Sequence, residues 1–243
     1  LPQNEGAGRG AIDIANNTRS VLTAAADWAP GIFGPAVKFA AFMDRLVGTD
    51  NVSLGTTDIT ISFWMKWVTR QAFSIVIGKT PSTGNSGLWD WGILGDGAGA
   101  DPMSLYVIRN GANNTNAGSF SSNTLYHVIY TATPSRSQLF SNGILVNTGA
   151  GVGAGNTTNT AGRYVMVSGD GEANFSITGF IDNISVWDRE ILASEAMRLF
   201  TEPFAGILAM RRRISSQAAA AGGGKPYYYY AQHIAGGMHG ESA

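Results

Sequence analysis

Asp58-Ile-Thr-Ile-Ser-Phe-Trp-Met-Lys-Trp-Val68 is the stretch whose reading decides the fold class. In an extended chain Ile59, Ile61, Phe63, Met65 and Trp67 fall on one side, and Thr60, Ser62, Trp64 and Lys66 on the other. Period-two alternation of this kind marks a half-buried strand, with Trp67 directed inward. Working outward, similar short runs follow at 73–78, 88–94, 103–109, 124–133, 137–148, 164–168 and 175–187. Inside 137–148, Asn142-Gly143 separates two apolar runs. A type I′ turn needs positive φ at both central residues, so this dipeptide predicts a tight hairpin. Many short strands with no helices between them imply an antiparallel sandwich or barrel rather than βαβ units. One helix is predicted, over 192–201, where Ala193, Ala196, Met197 and Phe200 make an apolar stripe and Pro203 closes it.

The composition agrees. Of 243 residues, 14% are charged and 32 are Gly, against about 25% charged in an ordinary soluble domain. With a net charge of −1 there is no basic field for a nucleic-acid backbone, so no nucleic-acid partner is expected. Zero Cys excludes disulfides, thiol nucleophiles and thiolate metal sites. No apolar run reaches the roughly 18–20 residues of a membrane span, so membrane insertion is not expected. The chain opens on Leu1 rather than Met, so a preceding segment or processing at that end is left open.

Three regions are expected: an extended N-terminal lead-in over 1–35, a sandwich over 36–205, and a C-terminal arm over 206–243. The arm carries Arg211, Arg212, Arg213 and Lys225 against Glu241, a charge of +3, which leaves −4 on residues 1–205. Its Ala and Gly runs cannot bury enough surface to fold alone. Intermolecular contact is therefore expected, through Ile207, Leu208, Met210, Arg211, Arg212, Arg213, Tyr227, Tyr228, Tyr229 and Tyr230.

Three segments in order resemble the LamG-like, concanavalin A-like jelly roll. The first runs from Val37-Lys-Phe39 through Asp44–Val52 to Ile59-Thr-Ile-Ser-Phe-Trp64. The second is Tyr126-His-Val-Ile-Tyr130 with Leu139-Phe-Ser-Asn-Gly-Ile-Leu145. The third is Gly179-Phe-Ile-Asp-Asn-Ile-Ser-Val-Trp-Asp-Arg189, followed by Glu195 and Leu199-Phe200. The resemblance covers roughly 36–203 and implies an all-β, antiparallel two-sheet jelly-roll sandwich with one short C-terminal helix and extended terminal arms. Two departures stand out. Leu192 occupies the place where a small hydroxyl residue usually caps the helix, and Ala40-Ala41 replaces the usual Asp-Gly turn. Beyond the domain, Glu202-Pro-Phe-Ala-Gly-Ile-Leu-Ala-Met-Arg-Arg-Arg-Ile214 is similar to the aromatic-then-arginine coda of many tailed-bacteriophage virion proteins.

Chemistry-bearing candidates are sparse. The paired carboxylates of a glucanase are absent at the family's spacing, so no catalytic residue and no enzymatic activity are expected. His127 sits on a strand where the resemblance implies a structural histidine. Trp89, Asp90 and Trp91 are the candidate ligand-binding residues, two aromatics flanking a carboxylate in the manner of a sugar-stacking site. Asp96, Asp101, Asp170 and Asp182 are the candidate metal ligands. Hard oxygen donors on loops suit Ca2+, but turn chemistry explains Asp-Gly loops equally well, so no cofactor is required and Ca2+ is the one left open.

The resulting expectation is a non-enzymatic structural or binding protein of a phage virion, a capsid decoration or fibre component at the virion surface. It would display a lectin-like sandwich and dock on other virion proteins, such as the major capsid protein, or on its own copies. The alternative is a carbohydrate-binding module of a secreted or cell-surface protein, Ca-dependent or not, with a glycan as its partner.

Overall fold

In the computed structural model the described residues are 10–13, 18–23, 26–31, 34–42, 44–49, 58–80, 91–96, 100–109, 112–115, 118–151, 164–167 and 176–203. Chain contacts divide the molecule into Leu1–Ile207 and Leu208–Ala243. The described residues all lie in the first unit. The strands are β1 (Gly10–Asp13), β2 (Thr18–Thr23), β3 (Asp27–Pro30), β4 (Pro35–Phe39), β5 (Arg45–Thr49), β6 (Ile59–Arg70), β7 (Ile75–Thr80) and β8 (Trp91–Gly95). They continue as β9 (Leu105–Arg109), β10 (Ala112–Thr115), β11 (Tyr126–Ala132), β12 (Arg136–Ser141), β13 (Ile144–Ala150), β14 (Tyr164–Val167) and β15 (Ile177–Trp187). Helix α1 (Ala193–Thr201) follows.

The strands form two antiparallel sheets, one ordered β1-β2-β5-β14-β7-β8-β9-β10 and the other β13-β12-β11-β6-β15-β4-β3. Neighbours such as β4, β15 and β6 come from distant parts of the sequence, which is the jelly-roll pattern expected. The inward row of β6 (Ile59, Ile61, Phe63, Met65, Trp67) meets Ile93, Leu105 and Val107 of the facing sheet in one apolar core. Each such side chain, fully buried, contributes roughly 1.5–3 kcal/mol.

Several local expectations hold. The hairpin turns at Asn142 (φ +52) and Gly143 (φ +77), the two positive φ values of a type I′ turn. The Asn142 side chain also accepts the His127 N–H at 2.9 Å, and Asn142 N–H donates to His127 O at 2.8 Å, which fixes the turn to β11. At Ala40-Ala41 the missing Asp-Gly turn is replaced by Asp44, whose Oδ2 accepts both backbone N–H groups at 2.7 and 2.8 Å. At Leu192 the side chain has no acceptor to offer the helix. Instead Glu195 Oε2 reaches back to Leu192 N–H at 2.9 Å, the reciprocal half of a capping box.

Two expectations change. Within the expected lead-in over 1–35, the described strands join the sheets: β2 pairs with β5 and β3 with β4, so strands from both sheets lie before residue 36. Extended Gly- and Pro-broken sequence gives no periodicity, and pairing partners decided its place. Nor is β6 half-buried. Thr60, Ser62 and Trp64, on its supposed solvent side, are 0%, 4% and 7% exposed. Ile191, Ala196 and Leu199 pack there on Ile129 and Phe140 as a second small core.

Gly179 explains why the closing segment of the resemblance begins with glycine. Its φ is +139, and an added Cβ would collide with the Lys66 carbonyl and lie 2.8 Å from Trp67 Cα. The backbones cross closely here because β15 is irregular in register between Ile177 and Gly179 against β6. A second irregularity lies between Asp182 and Ser185, where Asn183 takes φ +49.

Candidate functional site

Chemically rich side chains gather in two places. The first is a buried polar seam on the helix-covered face of β6, β11 and β15. Thr60 and Thr131 hydroxyls meet at 2.7 Å, and Thr60 Oγ1 donates to Arg189 O at 2.6 Å. Ser62 Oγ lies 2.8 Å from His127 Nε2. Trp64 stacks on the imidazole with centroids 4.8 Å apart, and Phe200 stacks on Trp64 at 5.7 Å. Burial lowers the His127 pKa to about 4. A serine-histidine pair so enclosed gives no substrate access to the nucleophile, so its chemistry is structural, as the resemblance implied for His127. Asp182, 8% exposed, lies further along the seam. Its Oδ1 accepts Asn183 N–H at 2.7 Å, and Asn183 Nδ2 donates to Pro203 O at 3.0 Å.

The second place is the end of the sandwich where β6 turns into β7. Arg70, with a fully buried side chain, forms an ion pair with Asp96 Oδ1. It also donates to Asp96 O at 2.8 Å and to Ala100 O at 2.8 Å, and its guanidinium carbon sits 5.9 Å from the Trp67 ring centre. Asp96 and Ala100 are thus both tied to the core by the Arg70 side chain. Around it, Phe73 N–H donates to Asp96 O at 3.0 Å and Gln71 N–H to Ser176 O at 3.2 Å. Asp101 accepts Ser122 N–H at 3.0 Å and Ser122 Oγ–H at 2.8 Å. Trp67 Nε1–H donates to Phe120 O at 3.0 Å. Phe73 has φ +54, unusual for a bulky side chain, and is 47% exposed. Its ring meets Tyr106 edge-to-face at 6.0 Å and 88°. Burial pushes the Tyr106 phenol up from its ordinary pKa, so it stays protonated at neutral pH.

The sequence-predicted residues are distributed as follows. Trp91 is 4% exposed and lies in the inter-sheet core with Ile93, its fellow on the same strand face, so it is not a stacking platform. The alternation that made it a platform points it inward. Trp89 and Asp90 lie outside the described residues. Asp96 pairs with Arg70, a cation already in place, and Asp101 binds Ser122. Asp182 sits in the seam, opposite Trp64 on the helix-covered face of the β6 sheet. Among the described residues no group of three His, Asp or Glu side chains is placed to hold a metal. Asp170 and the arm residues Ile207, Leu208, Met210, Arg211, Arg212, Arg213 and Tyr227 to Tyr230 lie outside the described residues. Sequence reasoning missed Arg70 and Phe73. Neither residue type signals a turn, and only the positive φ at Phe73 sets it apart. No helix among the described residues is long and apolar enough to cross a membrane.

The fold has solved counterparts. Domain 4 of AbnA, an extracellular arabinanase from Geobacillus stearothermophilus in complex with arabinotriose, superposes with a TM-score of 0.58 at 14% identity. The match covers 77% of this chain and 91% of that one. The binding domain of Paraclostridial Mosquitocidal Protein 1 gives 0.62 at 17% identity, over 84% of this chain and 51% of that one. A sialidase from Trypanosoma rangeli gives 0.59 at 15%, over 82% of this chain and 32% of that one. The chain therefore spans about half of the toxin binding domain and a third of the sialidase. No curated protein sequence matches it. At these identities the likeness is one of fold. The sequence model of the family matches residues 44–197, well over half of the chain, and takes in the β6 alternation, the Asn142-Gly143 hairpin and the closing Gly179–Arg189 segment. The chain belongs to the concanavalin A-like lectin/glucanases superfamily.

Proposed function

We propose that the chain is a non-enzymatic binding module whose sandwich recognises carbohydrate and whose C-terminal segment joins it to a larger assembly. The observation that carries the reading is the loop end at the β6–β7 turn. There a buried arginine and a set of backbone bonds hold aromatic and polar side chains at the surface in a preformed arrangement, which lowers the ordering cost of binding. The family supports the lectin-like character. The arabinanase domain complexed with arabinotriose and a botulinum neurotoxin type C that interacts with two ganglioside molecules share the fold. The test is binding of the full chain to a glycan array with and without EDTA. Retention of defined glycans is expected, and EDTA decides between Ca-dependent and metal-free recognition. An array with no bound glycan sinks the reading.

The assembly is the second half of the proposal. The +3 charge and the apolar and tyrosine residues of 206–243 follow a domain of opposite charge, and the Glu202–Ile214 sequence is similar to a phage virion coda. These features support a virion component, in capsid decoration or a fibre, whose arm docks on other virion proteins or on its own copies. Truncation after residue 205 keeps every described element. It is expected to leave a folded protein that no longer assembles, by light scattering and particle co-sedimentation. Assembly unchanged by truncation overturns the arm.

A further inference from the structure

Four residues near the β6–β7 turn combine features that a purely structural turn does not need. Phe73 holds a conformation disfavoured for a bulky side chain (φ +54) and still leaves about half of its surface in water. A turn selected for stability alone would place Gly or Asn there. Strained, exposed aromatic residues persist where the ring itself has a use. The Phe73 ring stands edge-to-face with Tyr106, so the pair forms a right-angled corner. Leu105 and Val107 point into the core, so Tyr106 between them faces outward from its sheet.

Asp96 adds a polar group to this corner. Its backbone carbonyl accepts the Phe73 N–H at 3.0 Å, and its backbone N–H donates to Ser104 O at 2.8 Å, two residues before Tyr106. Its side chain is 32% exposed while its partner, Arg70, is fully buried. The ion pair therefore presents its negative end to solvent and hides the positive end. Oδ1 takes Arg70, and Oδ2 is only weakly engaged, at 3.4 Å from Ser104 N. Asp96 is thus one backbone hydrogen bond from Phe73 and carries an anchored, partly exposed carboxylate acceptor; an acceptor near an aromatic corner suits the two faces of a sugar ring, C–H on one side and O–H at the rim.

We propose that Phe73, Tyr106 and Asp96 form a carbohydrate subsite that selects neutral sugars, with Phe73 as the stacking ring and Asp96 Oδ2 as the hydroxyl acceptor. This rests on the carbohydrate reading above. The selectivity follows from charge. With the guanidinium buried beneath the carboxylate, a sialic or uronic acid meets the negative end of the pair, so it is repelled and poorly desolvated.

The decisive variant is Phe73→Gly in the full chain. Glycine accepts the positive φ, so the turn survives and thermal stability stays the same or rises, while the stacking ring is lost. The probes are immobilised neutral oligosaccharides (arabinan, galactan and N-acetylglucosamine oligomers) and sialylated counterparts of the same galactans. Expected are binding of a neutral oligosaccharide by the unaltered chain and a loss of about thirtyfold in Phe73→Gly, the usual consequence of removing an aromatic anchor. Asp96→Asn keeps the side-chain shape and is expected to weaken neutral binding while relieving the rejection of sialylated probes. Full binding by folded Phe73→Gly overturns this subsite and leaves the carbohydrate reading standing. Binding confined to sialylated probes overturns the neutral class. Failure of the unaltered chain to bind any probe overturns both the reading and the subsite.

Discussion

The Ser62 hydroxyl and the His127 imidazole meet at 2.8 Å beneath α1, on a face of β6 where Trp64 and Phe200 lie nearly parallel to the imidazole ring. The enclosure that fixes this pair also lowers the His127 pKa to about 4 from 6.5. Between those values the unfolded chain binds the proton and the folded chain does not, so stability rises with pH across the window. Acidification from about pH 6.5 to 4 is therefore expected to remove up to about 3 kcal/mol of unfolding free energy, with no further loss from this residue below 4. Urea titrations of the native chain against His127→Gln, followed by tryptophan fluorescence, check it. The variant should show a flatter profile between those pH values, and an equal slope in both would remove His127 as the cause.

Gly179→Ala places a methyl group against the Lys66 carbonyl at a positive φ. Both the collision and the backbone conformation oppose it, and the expected destabilisation is about 2–4 kcal/mol. Gly143→Ala is expected to be milder in strain, but its Cβ would lie 2.9 Å from Met197 Cα and so push α1 from the hairpin. Chemical denaturation of the two variants ranks them.

Arg70→Met removes the guanidinium that ties Asp96 and Ala100 to the core. The loss leaves the Asp96 and Ala100 carbonyls without their donor beside a carboxylate that is partly exposed, and is expected to destabilise by about 2 kcal/mol. Arg70→Lys should recover only part, because an ammonium cannot reproduce the fork of donors. Amide exchange should rise first at Asp96 and over 100–104, ahead of β11 and β12.

Leu192 is 62% exposed at a helix N-cap where its side chain can bond nothing. Leu192→Ser is expected to stabilise by about 1 kcal/mol, completing the capping box that Glu195 already half supplies. The midpoint of thermal unfolding should rise by about 2–4 °C. A lowered midpoint would mean that the exposed leucine contributes packing.

What was legible in the sequence was what repeats locally. The β6 alternation announced a strand and placed Trp67 inward, and Asn142-Gly143 announced its turn, because period and turn chemistry are properties of a few adjacent residues. The three family-like segments announced the jelly roll, and the family match over 44–197 bears that out. What was not legible depended on what lies across the chain. Trp91 looked like a platform because alternation gives two faces without saying which is inside, and only the sheet opposite β8 decides that.

The same division holds for the site. Sequence alone determined the fold class, the hairpin, the helix and the charge split between −4 and +3, since these follow from composition and short-range geometry. Only the tertiary structure decided that the polar side of β6 is buried under α1. It alone put strands from the first 30 residues into both sheets, and it joined Arg70 to Asp96 and Phe73 to Tyr106. Those relationships link residues 26 and 33 positions apart. No local rule reaches that far, because such contacts form only when two sheets close over one core.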